Sequence, residues 1–316
     1  MNDKVTIVIP IHNLEVFLRR CLESIRRQTY PYFEVLLVDD GSIDGSKEIC
    51  KSFVEEDDRF KYFYQKNSGV SKARNIGIKK ANGKYITFID GDDFISPNHL
   101  QVMVEGLEDC QLSITGRNDI YEDNIRQVFK EDSDVYFDQK QVIDAVLKPG
   151  VVYSFPWNKM YLAEIIREKQ ILFDDGLKYG EDLVFNMEYI LNIDKAILKC
   201  DTTYNYVYRS DSVSRLMNRE TLKSRVTDIL AIKQTIDLLP QNFEDEKYFL
   251  YKRIVVEGAR YYRLLDFYNL EKKDLRRHLL FAYTKVSKYL TLKEKIIFLL
   301  NIKAPKLTFY ITNKSK

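Results

Sequence analysis

The chain has 316 residues, of which 45% are hydrophobic and 30% are charged, and this composition excludes a disordered protein. Its four cysteines (Cys21, Cys50, Cys110 and Cys200) form no C-x-x-C pair, which argues against a zinc site or a disulfide framework. The N-terminal stretch MNDKVTIVIP has no signal-peptide pattern, and no run of 18 apolar residues predicts a membrane span. We therefore expect a cytoplasmic protein.

The first hundred residues alternate between strand and helix patterns. Short β-branched runs predict strands at residues 5–10, 33–38, 60–64 and 85–89. Helical spacing of apolar residues predicts helices over 14–28, after a cap at Asp44 or Ser46, and over 70–81. Such alternation indicates an α/β fold with a mostly parallel sheet and helices on both of its faces.

The pattern becomes mixed after residue 110 and helical after residue 218. The predicted strands are at 112–115, 134–137, 151–155, 195–199 and 203–208. The predicted helices lie near 138–147, 159–168 and 181–192, and then from 218 to about 301, before Pro305. This predicts an α/β domain over residues 1–215 and a helical C-terminal region over residues 216–316.

Net charge is unevenly distributed along the chain. Residues 272–316 carry 12 Lys and Arg against two acidic residues, whereas residues 1–271 carry 37 basic and 45 acidic residues. A basic end on an acidic body favours a polyanionic partner, of which an anionic membrane surface is one. The basic residues avoid the strand-rich half and no recognition motif is present, so we do not expect nucleic-acid binding.

Acidic residues follow two of the predicted strands. Asp39 and Asp40 come after the second strand, and Asp90, Asp92 and Asp93 come after the fourth. Ligands of such folds bind beyond the carboxyl ends of the strands, so both groups are expected on one rim. Gly91 would let a ligand approach the backbone, and the carboxylates suit Mg²⁺ or Mn²⁺ that takes further ligands from phosphates. The alternative is a pair of turns in which the aspartates accept hydrogen bonds from local amides.

Three further positions carry candidate functional groups. Arg74 is expected near a helix start, where it would pair with a diphosphate, with one of the acids, or in an ordinary surface salt bridge. Glu181 and Asp182 open a helix, where the helix dipole favours acids and where a general base would also be rigidly held. His12 lies at the rim of the first strand, without the partners that a metal site needs.

In this order, the motifs resemble the family 2 inverting glycosyltransferases, which have the GT-A fold. The matching stretches lie within residues 4–210 and are VTIVIPIHNLEVFLRRCLESIRRQTYPYFEVLLVDDGSIDGS, NSGVSKARNIGIKKANGKYITFIDGDD, WNKMY and YGEDLVFN. The resemblance implies a Rossmann-like sheet and transfer of a sugar from a nucleotide-sugar, UDP being the commonest nucleotide. It also implies a divalent cation, Mn²⁺ or Mg²⁺.

The resemblance also assigns residue roles. The nucleotide-sugar site would include Pro10, His12, Asn13, Glu15, Asp39, Asp40, Arg74, Asp90, Gly91 and Asp92. His12 stands where the family usually has a tyrosine, and its ring can likewise stack on a base. Asp92 would hold the metal, with Asp90 and Asp93 as further candidate ligands, and Asp182 would be the catalytic base. The candidate residues on the acceptor side are Trp157, Asn158, Lys159 and Glu181.

Relatives of this kind build capsule, exopolysaccharide or lipopolysaccharide on lipid-linked acceptors. The segment KEKIIFLLNIKAPKLTFYI interleaves lysines with apolar residues, as interfacial segments do. The resemblance therefore implies an enzyme peripheral to the inner face of the cell membrane, although a helical region packed on the catalytic domain explains the same pattern. Two other functions stay open: a nucleotidyltransferase acting on sugar phosphates, and a non-catalytic nucleotide- or sugar-binding module.

Overall fold

The protein separates into two compact units. The computed structural model describes residues 3–122, 124–128, 132–148, 150, 152–209 and 218–308. The first unit comprises residues 1–175 and 185–210, and the second comprises residues 176–184 and 211–316. The predicted boundary at residues 215 and 216 lies outside the described residues.

A single sheet organises the first unit. Within the described residues it has ten strands: β1 (Val5–Ile11), β2 (Phe33–Asp40), β3 (Phe60–Gln65), β4 (Tyr85–Phe88), β5 (Phe94–Ile95), β6 (Leu112–Ile120), β7 (Ile125–Gln127), β8 (Val135–Asp138), β9 (Lys159–Leu162) and β10 (Lys195–Val207). The strand order is β3-β2-β1-β4-β9-β6-β10-β5, while β7 pairs with β6 and β8 pairs with β10. β1 to β4 pair in parallel, as does β6 with β10, and the remaining pairs are antiparallel.

Helices flank the sheet of the first unit. They are α1 (Glu15–Arg26), α2 (Ser46–Glu56), α3 (Val70–Lys80), α4 (His99–Glu105), α5 (Gln139–Leu147), α6 (Ala163–Glu168) and the second half of α7 (Glu181–Ile190). α1 buries the apolar positions that its helical spacing predicts: Leu18, Cys21, Leu22 and Ile25. Asp138 caps α5 by accepting a hydrogen bond from the Gln141 amide.

The order in which the chain adds parallel strands to the sheet reverses at β1. The chain runs from β1 outward to β2 and β3 and then crosses to β4 on the other side of β1. Open α/β sheets bind ligands at such a switch point, beyond the carboxyl ends of the strands. Pro10 has no backbone N–H to donate. It is compatible with this central strand because β4 pairs with β1 only as far as Val8 and Phe88, so no hydrogen bond between these strands is lost at Pro10.

Three predictions of local structure were wrong. Residues 159–162, predicted as helix, form β9, because their backbone pairs with both β4 and β6. Residues 152–155, predicted as part of a strand, are irregular, and Val151 lies outside the described residues. The two strands predicted at 195–199 and 203–208 are one strand, β10, whose register shifts between Lys199 and Tyr204.

Most of the described residues of the second unit lie in four helices. They are α8 (Arg219–Leu238), α9 (Glu244–Phe267), α10 (Lys273–Val286) and α11 (Leu292–Lys303). α9 packs against α8, α10 and α11, and Gly258 lets α9 approach Leu279 of α10 closely. Asn218 caps α8 and Thr291 caps α11. Among the described residues, no helix combines the length and the hydrophobicity needed to cross a bilayer.

Candidate active site

The carboxyl ends of β1, β2 and β4 bring the predicted nucleotide residues of the first unit to one edge. β1 leads into His12 and Asn13, β2 ends at Asp39 and Asp40, and Asp90 follows β4. These strands are adjacent and parallel, so their carboxyl ends lie at one edge of the sheet, as the sequence predicted. Hydrogen bonds then hold each loop in place.

Asp39 and Asp40 organise the two loops that follow β2 and β3. Asp39 Oδ1 accepts a hydrogen bond from the Ser42 amide at 2.8 Å, and its Oδ2 accepts one from the Tyr62 hydroxyl at 2.6 Å. Asp39 is fully buried, so it holds the turn and its neighbour in place instead of facing a nucleobase. Burial, and then the hydrogen bond to Asp39, raise the pKa of Tyr62 well above its usual value, which keeps that hydroxyl a donor.

Asp40 makes the denser set of bonds. Its Oδ1 accepts from Gln65 Nε2 at 2.6 Å and from the Ser68 amide at 2.7 Å, and its Oδ2 accepts from the Gly69 amide at 2.8 Å. Asp40 is 5% exposed, and since a carboxylate offers about four acceptor positions, its three donors leave about one position at Oδ2 unfilled. Gln65, Ser68 and Gly69 were not predicted; a polar N-S-G turn directly after a strand is the signal that could have identified them.

His12, Asn13 and Glu15 tie β1 to the loop after β2. His12 Nδ1 donates to the Asp40 carbonyl at 2.9 Å, since a carbonyl can only accept. Asn13 has a left-handed backbone (φ 53°) and its Oδ1 accepts from the Ile43 amide at 2.9 Å. Glu15 accepts a hydrogen bond from the Gly45 amide. The exposed His12 ring thus has a fixed plane at the rim, as base stacking requires.

Asp90 and Asp92 lie on one turn, and each forms an ion pair with an arginine. Arg74 of α3 is buried and its Nη2 lies 3.2 Å from Asp90 Oδ1. Arg209, which follows β10, places its Nη1 3.1 Å from Asp92 Oδ2 and its guanidinium over the Phe17 ring at 4.4 Å. Arg209 was not predicted; its signal is a basic residue directly after a strand that reaches the same edge.

Burial and like charge change the acidity of this turn. Burial, and then the neighbouring Asp90, raise the pKa of Asp92 above its ordinary value, and Arg209 partly opposes them. Gly91 is buried, and a Cβ at that position would lie 2.8 Å from Leu14 Cδ1. The glycine therefore allows the turn to pack on Leu14, the residue preceding α1.

Asp93 is enclosed within the protein, unlike Asp90 and Asp92. It is 1% exposed, and its oxygens accept from the Tyr204 hydroxyl at 2.7 Å and from the Val207 amide at 2.8 Å. Burial, and then Asp92 and Asp90, raise its pKa well above the usual range. Through these contacts Asp93 connects the turn to β10. Asp90 and Asp92 are therefore the remaining candidates for binding a metal.

The donor set at this turn fits a hard divalent cation. Among the described residues, no group of three or more His, Cys, Asp and Glu side chains is arranged to hold a metal. Asp90 and Asp92 provide two carboxylates, each with a side chain 28% exposed. Mg²⁺ and related ions bind through one or two carboxylates when phosphates and water supply the other ligands, and the residues fit that mode.

The predicted acceptor-side residues Trp157, Asn158 and Lys159 are buried. Lys159 Nζ donates to the carbonyls of Val152, Tyr153 and Phe155 at 3.2, 2.9 and 2.7 Å, and to Asn158 Oδ1 at 3.0 Å. Asn158 in turn donates to the Thr115 carbonyl at 3.0 Å. These contacts make Asn158 and Lys159 organisers of the loop at residues 152–155.

An aromatic stack lies around that loop. Trp157 stacks on Tyr204 with ring centroids 4.4 Å apart, and Phe155 stacks on Trp157 at 5.1 Å. Arg117 lies 4.9 Å from the centroid of the Tyr153 ring. Tyr204 links this stack to Asp93, so the loop and the acidic turn share a support.

Asp182 and Glu181 occupy the first turn of α7, as predicted. Glu181 is buried and Asp182 is half-buried, and both belong to the second unit. The helix begins after Gly180, whose backbone is left-handed (φ 85°).

Comparison with known proteins identifies the family. The family model described as glycosyl transferase family 2 matches residues 6–168, more than half of the chain. The chain belongs to glycosyl transferase family 2. The predicted family and the α/β architecture with a helical C-terminal region are confirmed.

Two relatives illustrate the similarity. The chain is 34% identical over 250 residues to glycosyltransferase GlyA of Streptococcus pneumoniae serotype 4, and the match covers 76% of this chain and 35% of GlyA. It is 31% identical to the uncharacterized glycosyltransferase EpsJ of Bacillus subtilis, covering 67% of this chain and 63% of EpsJ. The match thus spans less than two thirds of either relative's length.

Solved structures support the fold. The crystal structure of S. aureus TarS 1-349 in complex with UDP superposes with a TM-score of 0.62 at 18% identity, covering 95% of this chain and 81% of that chain. The complex of TarS 1-349 with UDP-GlcNAc gives 0.60 at 20% identity, covering 94% and 79%.

Proposed function

We propose that this glycosyltransferase moves a sugar from a nucleotide-sugar, a UDP-sugar in particular, to a hydroxyl of a glycan acceptor with inversion at the anomeric carbon. One observation carries the proposal: the Asp39–Asp40 turn and the Asp90–Asp92 turn flank β1 at the switch point of the sheet. The first suits a nucleoside and the second suits a diphosphate with its cation. The UDP and UDP-GlcNAc complexes of TarS support a donor of this kind.

The nucleoside would lie against the loops after β1 and β2. The exposed His12 ring would stack on the base, and Asp40 Oδ2 would accept a hydrogen bond from a base N–H. Pro10, Asn13, Glu15 and Asp39 would hold these loops in shape and not contact the base. Such preorganised groups bind without a cost of reordering.

The diphosphate would lie over the turn at residues 90–92. Asp92, with Asp90, would hold Mg²⁺ or Mn²⁺, which neutralises the charge that develops on the leaving diphosphate. Arg74 and Arg209 already sit beside these carboxylates and would contact phosphate oxygens. The buried stem of Arg74 fixes its direction.

Asp182 would act as the general base. It would accept the proton of the acceptor hydroxyl as that oxygen attacks the anomeric carbon, opposite the leaving nucleoside diphosphate. One base on one face gives inversion in a single displacement. The proposal rests on the match of YGEDLVFN to the family and on the helix start that holds Asp182 rigid.

The acceptor would be a lipid-linked oligosaccharide used in cell-surface polysaccharide synthesis. The proposal rests on the resemblance and on the basic C-terminal end of the chain. Glu181 and the loop that Trp157, Asn158 and Lys159 support would lie on the acceptor side. The enzyme would then act at the inner face of the cell membrane.

Release of nucleoside diphosphate from a panel of UDP-, GDP- and dTDP-sugars tests the proposal. Asp182→Asn should lower transfer by about 10²–10⁴-fold, the usual worth of general-base assistance, while nucleotide affinity stays unchanged. Glu164→Gln is a matched control, because Glu164 is an exposed acid in the first turn of α6. Full turnover by Asp182→Asn would remove Asp182 from the role, and no turnover with any donor would refute the donor class.

A further inference from the structure

The outer side of α11 is apolar. Phe298 and Asn301 face inward and are buried. Leu292, Ile296, Leu299 and Leu300, at positions i, i+4, i+7 and i+8, lie on the opposite side and are 75%, 47%, 41% and 43% exposed. At 100° per residue these four span one continuous stripe, which we call the α11 outer face.

A helix on the surface of a globular protein normally has a polar outer side. α2 of this protein follows that rule: it buries Cys50 and Phe53 and exposes Lys47, Lys51 and Glu55. α11 instead carries apolar residues on both its inner and outer sides. Helices of that kind are expected only where a second apolar phase covers the outer side.

Lysines border the α11 outer face. Lys293 and Lys295 lie beside its first turn, and Lys303 lies on the stripe at the end of the helix. A cavity of about 510 Å³ adjoins this end and is lined by Lys272, Lys303 and Lys306 together with Asp266, which pairs with Lys272. Over residues 272–308 the chain has ten basic residues and two acidic ones.

We propose that the α11 outer face is a docking surface for an anionic membrane. Leu292, Ile296 and Leu300 would enter the boundary between headgroups and acyl chains, while Lys303 and Lys306 would meet lipid phosphates. Apolar insertion combined with basic residues is how interfacial helices bind. The proposal deepens the proposed function and rests on it for the lipid-linked acceptor, but its observations come from the second unit alone.

Charge selects a membrane over a second copy of the chain. A symmetric contact between two α11 outer faces would bring the lysines of one copy against those of the other, and like charges across an interface oppose association. An anionic bilayer instead supplies both an apolar phase and phosphates. Exposed Leu307, beyond α11, extends the apolar surface beside Lys306.

The test is co-sedimentation of the full chain with phosphatidylcholine vesicles, with and without phosphatidylglycerol. We expect binding to the anionic vesicles that weakens when salt is raised from 0.1 M to 1 M, where the screening length falls from about 10 Å to about 3 Å. Lys303→Gln with Lys306→Gln should weaken binding roughly fivefold per lysine. The triple variant Leu292→Ser, Ile296→Ser, Leu300→Ser should abolish it.

Matched controls come from other helices of the same unit. Leu230→Ser, Leu238→Ser, Val256→Ser removes three exposed apolar side chains of α8 and α9, and Lys223→Gln removes one exposed lysine of α8. Both controls should bind vesicles as the unchanged chain does. Thermal unfolding of every variant separates loss of binding from loss of the fold.

Three results would overturn the proposal. The first is no vesicle binding by the unchanged chain, and the second is vesicle binding by the α11 variants equal to that of the unchanged chain. The third is a dimer in light scattering whose formation depends on the α11 outer face. Transfer to a soluble acceptor without vesicles reports on the proposed function separately. An enzyme active in that assay but indifferent to vesicles refutes only the docking surface.

Discussion

Arg209 forms an ion pair with Asp92, the carboxylate that is proposed to bind the metal. It pairs with Asp92 at 3.1 Å and its side chain is largely buried against Phe17. Two cations cannot share one carboxylate without repulsion, so Arg209 has to turn toward the diphosphate, or share Asp92 unequally, when a divalent ion binds. If Asp92 holds the proposed metal, this ion pair would lower the affinity of the nucleotide-free protein for it.

Arg209→Ala is therefore expected to tighten Mn²⁺ binding in the absence of nucleotide. A partly exposed ion pair is worth about 1 kcal/mol at most, so the dissociation constant should fall by no more than roughly fivefold. Electron paramagnetic resonance of free Mn²⁺ measures it directly. Arg126→Ala, at an exposed position of β7, is the control. Weaker Mn²⁺ binding by Arg209→Ala would show that Arg209 orients Asp92 for the metal instead.

Tyr204 supports the acidic turn through a single hydroxyl. That oxygen donates to Asp93 Oδ2 at 2.7 Å and accepts from the Asp90 amide at 3.3 Å. Tyr204→Phe keeps the ring stacked on Trp157 but leaves a buried carboxyl one donor short. We expect a loss of about 1–3 kcal/mol in the free energy of unfolding, measured in urea. Tyr136→Phe, on an exposed side chain, should change nothing, and an equally small effect of Tyr204→Phe would show that water replaces its hydroxyl.

At the scale of elements, Glu34 joins three parts of the sheet. Its buried carboxylate accepts from Lys61 of β3 at 2.9 Å and from Thr6 of β1 at 2.8 Å. Further bonds come from Lys4 and from the Asn82 amide. Burial acts to raise the pKa of Glu34, but these donors outweigh it and bring the pKa to about 2.

Glu34→Gln should accordingly destabilise the protein in a pH-dependent way. A carboxylate whose pKa is lower in the folded state contributes stability above its unfolded pKa of 4.5, and that contribution is lost as the pH falls toward about 2. Allowing for the exposed lysine partners, we expect a loss of about 2 kcal/mol at pH 7. The difference in free energy of unfolding between the unchanged protein and Glu34→Gln, measured in urea, should narrow below pH 4.5. Glu55→Gln in α2 should not differ from the unchanged protein at any of these pH values. A difference independent of pH would point to packing instead of charge.

Local patterns predicted the first four strands and their helices because local and tertiary preferences agree there. The β1, β2 and β4 runs are apolar enough to be buried on both faces, and α1 shows a full helical stripe. β9 was missed because its four residues resemble a helix start and become a strand only through pairing with β4 and β6. A sequence window contains no information about such distant partners.

The residues of the candidate site likewise include some whose position could be predicted from the sequence and some whose environment could not. The rim position of Asp40, Asp90 and Asp92 follows from strand ends, and motif spacing was sufficient to find them. The burial of Asp39, Asp93 and Lys159 was not predictable, because it depends on Tyr62, Tyr204 and the loop at residues 152–155, which come from distant parts of the sequence. Carboxylates proposed to bind a ligand and carboxylates that hold loops therefore look alike in sequence.

At the scale of the whole molecule, charge and function are distributed between the two units. The proposed donor residues lie in the first unit, within an acidic stretch of chain. The basic residues concentrate after residue 271, where the α11 outer face lies.

Binding of the nucleotide should raise the stability of the whole enzyme by linkage. A ligand at a hundredfold excess over its dissociation constant adds about 2.7 kcal/mol to the free energy of unfolding. We expect UDP with Mn²⁺ or Mg²⁺ to raise the unfolding temperature, EDTA to remove most of the gain, and GDP and dTDP to give less. Asp92→Ala should lose the metal-dependent part, whereas Asp119→Ala, an acid paired with Arg117 away from the turn, should keep it despite a lower starting stability. A shift that survives both EDTA and Asp92→Ala would place the diphosphate on Arg74 and Arg209 alone, with no cation between the carboxylates and the phosphates.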